Sequence, residues 1–474
     1  MIKGNTYLTA ICATAGMGGF LFGFDTAVIS GAVGFLKDQF RLSPAMEGWI
    51  MSSALVGCVA GAAIAGYLAD KYGRKKMLVS SALLFILSAA GCMLALNPAW
   101  LVLARIVGGI GVGFAAMVAP LFISELAPAR LRGRLVSLYQ LAITLGILCS
   151  YLSNAGLLHY ASSHAQDASS HALDALHHAA GGGILWPYFV AEPWRGMLGS
   201  NMIPAILFLL LLLGVPESPR WLIKEGRSSK AGEILLRING SEQARNELNT
   251  IVAALADDKK GSFRQLLAPG IRTALAIGII LPFLSQLTGI TTVMYYAPAI
   301  FEKAGFASGS AMESAAVIGF FNMIFTFVAI WKIDHWGRKR LLVGGFAGLS
   351  IALLAIGVLF FIDGNQRLLM GCFIFYIAVF AASIGPGVWV VIAEIFPTRI
   401  RGRAMSIGTL SLFVGSTFVT QTYPLLRESL GIGFTFILYG LTMIPAMIFV
   451  LRTVPETKGQ SLEEIEREWK AKLN

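Results

Sequence analysis

Apolar residues in this chain come in long unbroken blocks, where a water-soluble fold would show alternation or a one-sided helical stripe. Twelve blocks are long enough to cross a bilayer as helices, at about 7-36, 46-69, 77-96, 99-124, 135-157, 196-215, 271-300, 311-332, 341-362, 367-393, 404-424 and 431-452. About 20 apolar residues suffice, since a helix rises about 1.5 Å per residue and the hydrocarbon core is about 30 Å thick. The connections are short with two exceptions, residues 158-194 and 216-268. The pattern predicts an all-α membrane protein of twelve transmembrane helices. They form an N-terminal six-helix half (1-215), a cytoplasmic helical linker (216-268), a C-terminal half (269-452) and a tail (453-474).

Both long connections have a texture of their own. In the linker, Leu235, Leu236 and Ile238, then Leu248, Ile251, Val252 and Leu255, recur at helical spacing and predict short amphipathic helices. The stretch from His159 to Trp194 holds five of the six histidines: His159, His164, His171, His177 and His178. Imidazoles bind metals and titrate near neutrality. Their irregular spacing in an Ala/Ser/Gly background without cysteine favours a solvated loop or short helix, and no metal site is expected.

Composition agrees with the blocks. The 474 residues are 56% hydrophobic and 13% charged, with a mean hydropathy of +0.71, which excludes a soluble globular protein. A net charge of +11 raises the question of nucleic acid. The cations, however, gather in the short loops Lys71–Lys76, Arg130–Arg134, Lys332–Arg340 and Arg399–Arg403, which fall on alternate connections and so on one side. By the positive-inside rule that side is the cytoplasm, and an even number of spans puts both termini there. The five cysteines lie inside apolar blocks without CxxC spacing, as packing residues do. The first block is too long for the core of a cleavable signal peptide. No GxxxxGK[ST] loop occurs, so a nucleotide-driven pump is excluded, and no cofactor is expected. The glycines of GGIGVG at 108-113 follow no strand, and they read as small-residue contacts between helices.

One charge breaks the pattern. GGFLFGFDTAVISG (Gly18–Gly31) places Asp25 in the middle of the first block, where residues 7-36 carry no other charge. An ionisable group near the bilayer midplane is costly and marks a functional site by default. Arg105, set between LVLA and IVGGIG in the fourth block, is the buried-looking cation of the first half and the candidate partner. Pairing favours the ionised carboxylate, and separation lets it take up a proton.

An internal repeat organises the rest. ELAPARLRGR at Glu125–Arg134 recurs as EIFPTRIRGR at Glu394–Arg403, and DKYGRKK at Asp70 recurs as DHWGRKR at Asp334. PESPR at Pro216 and PETKG at Pro455 close the two halves. Two parallel six-helix repeats with binding at their interface is a plan shared by many secondary transporters. Acids beside GRKK and RGR clusters point to bidentate ion pairs that shut the inner face, because acids contribute little to topology. One departure from the repeat is Gly66, four residues before Asp70, whose counterpart before Asp334 is Ile330.

With these motifs, together with ARIVGGIGVGF, PESPRWL, QLTGITTVMYYAPAIF and GPGVWVV, the chain resembles the sugar porter family of the major facilitator superfamily over nearly its whole length. The resemblance implies proton-coupled uptake of a monosaccharide or related polyol by alternating access, in the cell membrane, as a functional monomer and not an enzyme. It implies proton coupling by Asp25 and Arg105, and a cytoplasmic gate of Asp70, Arg74, Glu125, Arg134, Glu217, Asp334, Arg338, Glu394, Arg403 and Glu456. It places Phe22, Gln140, Gln286, Asn322 and Trp389 at the sugar, with the seventh helix broken at LTGITT and Tyr295 and Tyr296 closing over the site. The chain departs from the family's usual amides at Ser285, Thr291 and Ser416, and from its tryptophan at Phe413. Fewer long amides suit a modified sugar, a polyol or a less hydroxylated solute. A transporter-fold nutrient sensor and a drug-exporting relative remain as other readings; the Asp25 and Arg105 pair speaks against the first, and PESPR and PETKG against the second.

Overall fold

The computed structural model describes residues 2–128, 131–170, 187–239, 241–256, 271–362, 364–396 and 401–456, and among them every regular element is a helix. The first half comprises α1 (Ile2–Phe40), α2 (Pro44–Tyr72), α3 (Arg74–Met93), α4 (Pro98–Leu126), α5 (Arg132–Ser170), α6 (Pro193–Ser200) and α7 (Met202–Leu213). The linker forms α8 (Pro219–Lys224), α9 (Ser228–Asn239) and α10 (Ser241–Ala256). The second half comprises α11 (Arg272–Gln286), α12 (Ile290–Lys303), α13 (Ser308–Trp336), α14 (Arg338–Phe361), α15 (Gln366–Val379), α16 (Gly385–Ile395), α17 (Arg401–Leu430) and α18 (Ile432–Thr453).

Local chemistry sets several boundaries. Ser43, Asn97 and Ser218 each accept a backbone N–H of the following first turn, with Pro44, Pro98 and Pro219 at the first helical position. Such caps satisfy donors that the helix itself leaves unpaired. Eleven spans among the described residues are long and apolar enough to cross a membrane, counting α6–α7, α11–α12 and α15–α16 as one each. The twelfth is α17, 30 residues long. It is less apolar because it carries Thr409, Ser411, Ser416, Thr417, Thr420, Gln421 and Thr422.

The structure moves three expected boundaries. Helix α5 runs on to Ser170, so His159 and His164 lie on a helix and not in a loop; His171, His177 and His178 fall outside the described residues. The sixth span is interrupted at Asn201. The tenth contains a π-turn at Phe380–Ile384 ahead of Gly385-Pro386, where the proline cannot donate to the helical ladder. In the linker, Leu235 and Ile238 are buried as expected, whereas Leu236 and Val252 are exposed. Leu255 lies outside the residues whose side chains are described.

Close helix contacts position the middle of the bundle. Helix α4 packs along α2 and α3, and α1 along α5. A Cβ at Gly109 would run into the Ala54 carbonyl, and one at Gly23 into the Ile143 carbonyl. Small residues thus let backbones touch where lipid supplies no hydrophobic drive for helix association. The halves meet along α2 against α17, α5 against α13 and α1 against α12.

Candidate functional site

Asp25 and Arg105 come together between α1 and α4. Both are buried, at 7% and 2% exposure, and Arg105 Nη2 stands 4.0 Å from Asp25 Oδ2. The pair is loose: Arg105 Nε and Nη2 make no hydrogen bond among the described residues. A second neighbour, not picked out in the sequence, is Asn201, which donates from Nδ2 to Asp25 Oδ1 at 3.4 Å. Its amide reaches the carboxylate from the interruption between α6 and α7. The available signal was Ser200-Asn201, two polar residues inside an otherwise apolar block and followed by Pro204. A buried carboxylate held by one distant guanidinium and one amide is suited to exchanging a proton, because neither partner fixes its charge firmly.

The residues expected at the solute form one connected network and several separate groups. Gln286 Oε1 accepts from Ser416 Oγ at 2.8 Å and from Thr291 Oγ1 at 3.0 Å, and its Nε2 donates to Ser285 Oγ at 3.2 Å. Three of the positions that depart from the family's usual amides are therefore tied to the one glutamine that remains. The seventh span breaks at Gly289, whose φ of +79° favours glycine. The freed Thr288 carbonyl accepts from Tyr376 Oη at 2.9 Å, so the break is fastened to α15. Phe22 meets Phe413 edge to face across the two halves, with centroids 6.0 Å apart. Tyr295 and Tyr296 are fully buried, and Tyr151 Oη donates to the Met294 carbonyl at 2.6 Å. Asn322 is buried, and Gln140 and Trp389 are half-buried; among the described residues none of the three bonds to the Gln286 network.

Comparison with known proteins accounts for this arrangement. The sequence model of the family described as "Sugar (and other) transporter" matches residues 11–469. The chain belongs to this family of sugar transporters. It is 39% identical to the arabinose-proton symporter of Bacillus subtilis, over 98% of this chain and 95% of that one. It is 35% identical to the D-xylose-proton symporter of Escherichia coli, over 98% and 96%. The inward open structure of the xylose transporter XylE from E. coli superposes with a TM-score of 0.80 at 34% identity, covering 98% of this chain and 100% of that one. The same transporter bound to 6-bromo-6-deoxy-D-glucose, a major facilitator superfamily proton:xylose symporter, gives 0.79 at 36% identity, over 98% and 99%. The chain is thus a multi-pass membrane protein with the twelve-helix major facilitator fold, in a family of transporters.

At the ends of this sugar transporter that carry the basic loops, two similar clusters appear. Arg74 Nη2 lies 2.9 Å from Glu125 and 3.1 Å from Asp70, and Glu125 also accepts from Ser218. Arg338 bonds both oxygens of Glu394, at 2.9 and 3.2 Å. Glu217 and Glu456 also make bonds that no side-chain pattern foretold. Glu217 accepts the backbone N–H groups of Arg74 and Lys75, at 3.0 and 3.1 Å, and Glu456 accepts those of Arg338 and Lys339, at 2.9 and 3.2 Å. Each carboxylate caps the N-terminus of α3 or α14, where anions suit the unpaired donors and the helix dipole. The ion pairs described here join helices within one half, so they brace each half; by themselves they do not shut a face. Arg403 is half-buried, whereas the side chains of Arg134 and Asp334 lie outside the described residues.

Proposed function

We propose that this protein imports a monosaccharide or related polyol together with a proton, by alternating access, as a monomer in the cell membrane. The observation that carries the proposal is the buried Asp25 facing Arg105 and Asn201, inside a bundle whose relatives are proton-coupled symporters for arabinose and xylose. In this reading Asp25 takes up a proton when its partners move away and releases it when they return. Gln286, Thr291, Ser416 and Ser285, with Phe22, Gln140, Asn322, Trp389 and Phe413, meet the solute, and Tyr295 and Tyr296 cover it. The halves are residues 1-215 and 269-452; the basic loops, the 216-268 linker, the 453-474 tail and both termini face the cytoplasm.

Solute binding then exchanges hydrogen bonds. Gln286 Oε1 is already occupied by Thr291 and Ser416, so a donating hydroxyl must displace one of them, whereas Nε2, which makes one bond among the described residues, to Ser285, keeps a second N–H for a solute oxygen. This favours a solute with a compact set of hydroxyls. Counterflow in proteoliposomes against hexoses, pentoses and polyols, with and without a proton gradient, tests the proposal. Concentrative uptake of at least one of them that collapses with the gradient is expected; uptake indifferent to the gradient would refute proton coupling.

A further inference from the structure

At the ends opposite the basic loops, an ion pair among the described residues joins the two halves. Glu47, in the first turn of α2, is 1% exposed, and both its oxygens accept from Arg427 Nη2, near the end of α17, at 3.0 and 2.9 Å. Lys37 Nζ stands 3.7 Å from the same carboxylate. Neighbouring bonds run along the same seam: Ser52 Oγ donates to Gln421 Oε1 at 2.9 Å, and Gln421 Nε2 to the Ala45 carbonyl at 3.1 Å. The Arg427 guanidinium also lies 5.8 Å from the Tyr423 ring, and that ring packs on Tyr296 at 4.7 Å. A Cβ at Gly48 would come within 2.6 Å of the Gln421 carbonyl, so the two backbones touch here.

We propose that Glu47 and Arg427 are the latch of the outer mouth, closed while the solute site faces the cytoplasm and broken once in every cycle. The inference rests on the transporter reading above, since alternating access requires α2 and α17 to part at this end. Separation leaves Glu47 with Lys37 alone and the guanidinium without its carboxylate until water reaches it, so the pair sets how often the mouth opens. The three charges are unequal. Removing Glu47 leaves Lys37 and Arg427 facing each other across the seam, whereas removing Arg427 leaves Glu47 with Lys37. Neutralising the acid therefore opens the mouth more than neutralising the arginine.

The test uses the full chain with one reporter, Thr420→Cys, fully buried on α17 between the Gln286 network and the latch. A membrane-impermeant thiol reagent is applied from outside; the native cysteines, three buried and two half-buried, give the background without the reporter. Glu47→Gln is expected to raise the labelling rate by about tenfold or more, and Arg427→Gln by less. Glu47→Asp and the exchanged pair Glu47→Arg with Arg427→Glu should stay near the parent rate. Bridging Glu47→Cys to Arg427→Cys with a short bifunctional thiol reagent should stop uptake, and release of the bridge should restore it. Labelling that is equal in the Glu47→Gln and parent proteins, or a bridged protein that still takes up solute, overturns the latch. Counterflow by the unmodified chain in the same vesicles separates the two readings: solute movement with unchanged labelling refutes the latch alone, and no movement of any solute refutes the transporter.

Discussion

Asn201 and Arg105 approach Asp25 from different oxygens: the amide donates to Oδ1, and the guanidinium faces Oδ2. The carboxylate is thus held between a neutral group and a cation that come from different spans. Movement of either partner changes what Asp25 faces.

Replacing Asp25 by Asn removes the titratable group and keeps its shape. Uphill uptake should fall to background, while solute exchange at equal concentrations on both sides continues. Accumulation ratios and counterflow in the same vesicles check this, and a variant that still concentrates solute would refute it.

Asn201→Ala deletes one hydrogen bond to the carboxylate, a contact worth about 1.5–3 kcal/mol when one partner is charged. Concentrative uptake should drop by about tenfold or more on that scale, with the chain still folded. The decisive comparison is the double variant. On the Asp25→Asn background, Asn201→Ala should leave the exchange rate unchanged, because its partner charge is gone; an equal loss on both backgrounds would make Asn201 a packing residue only.

Gln286→Ala removes the one long amide that anchors Ser285, Thr291 and Ser416. Apparent affinity for the transported solute should weaken by about tenfold or more, as expected when polar groups are left unmatched in a dry pocket. Ser416→Ala should weaken it less, since Gln286 Oε1 keeps Thr291. Equilibrium binding by calorimetry or scintillation proximity separates the two.

Glu217→Ala should lower the thermal midpoint of the purified protein, since an N-terminal cap with a full charge contributes about 1 kcal/mol or more. Gly73→Ala should do the same by another route. Gly73 has φ of +100°, and a Cβ there would collide with the Glu217 carboxylate. Melting followed by tryptophan fluorescence reads both, and a Gly73→Ala protein that melts with the wild type would show that the turn has another conformation available.

Block length and repeats made the architecture readable, because a helix that crosses lipid must be long and apolar and duplicated loops keep their charges. Asp25, Arg105 and the break at Gly289 could be read for the same reason: a charge or a left-handed glycine stands out against a uniform background. Asn201 was easily passed over, because its signal, two polar residues ahead of Pro204, looks like any polar pair in a bundle. Glu47 and Arg427 sit 380 positions apart at the ends of helices, where charge is ordinary, and only the fold brings them together. The capping role of Glu217 was hidden by its motif. An acid next to basic residues reads as an ion pair, yet its partners are backbone donors that no side-chain pattern encodes.

The caps have a consequence for how the polypeptide can be divided. Glu217 closes a loop of chain back onto Arg74, and Glu456 closes one back onto Arg338, so each half is buckled by the residues that directly follow its last helix. The described fastenings of the linker, Trp221 to the Asp70 carbonyl and Lys224 to the Asp70 side chain, also belong to the first half. A chain cut beyond α10 therefore yields two fragments that each retain their buckle. Co-produced, they can find one another in the membrane as two preassembled pieces, with continuity between them serving as a tether alone.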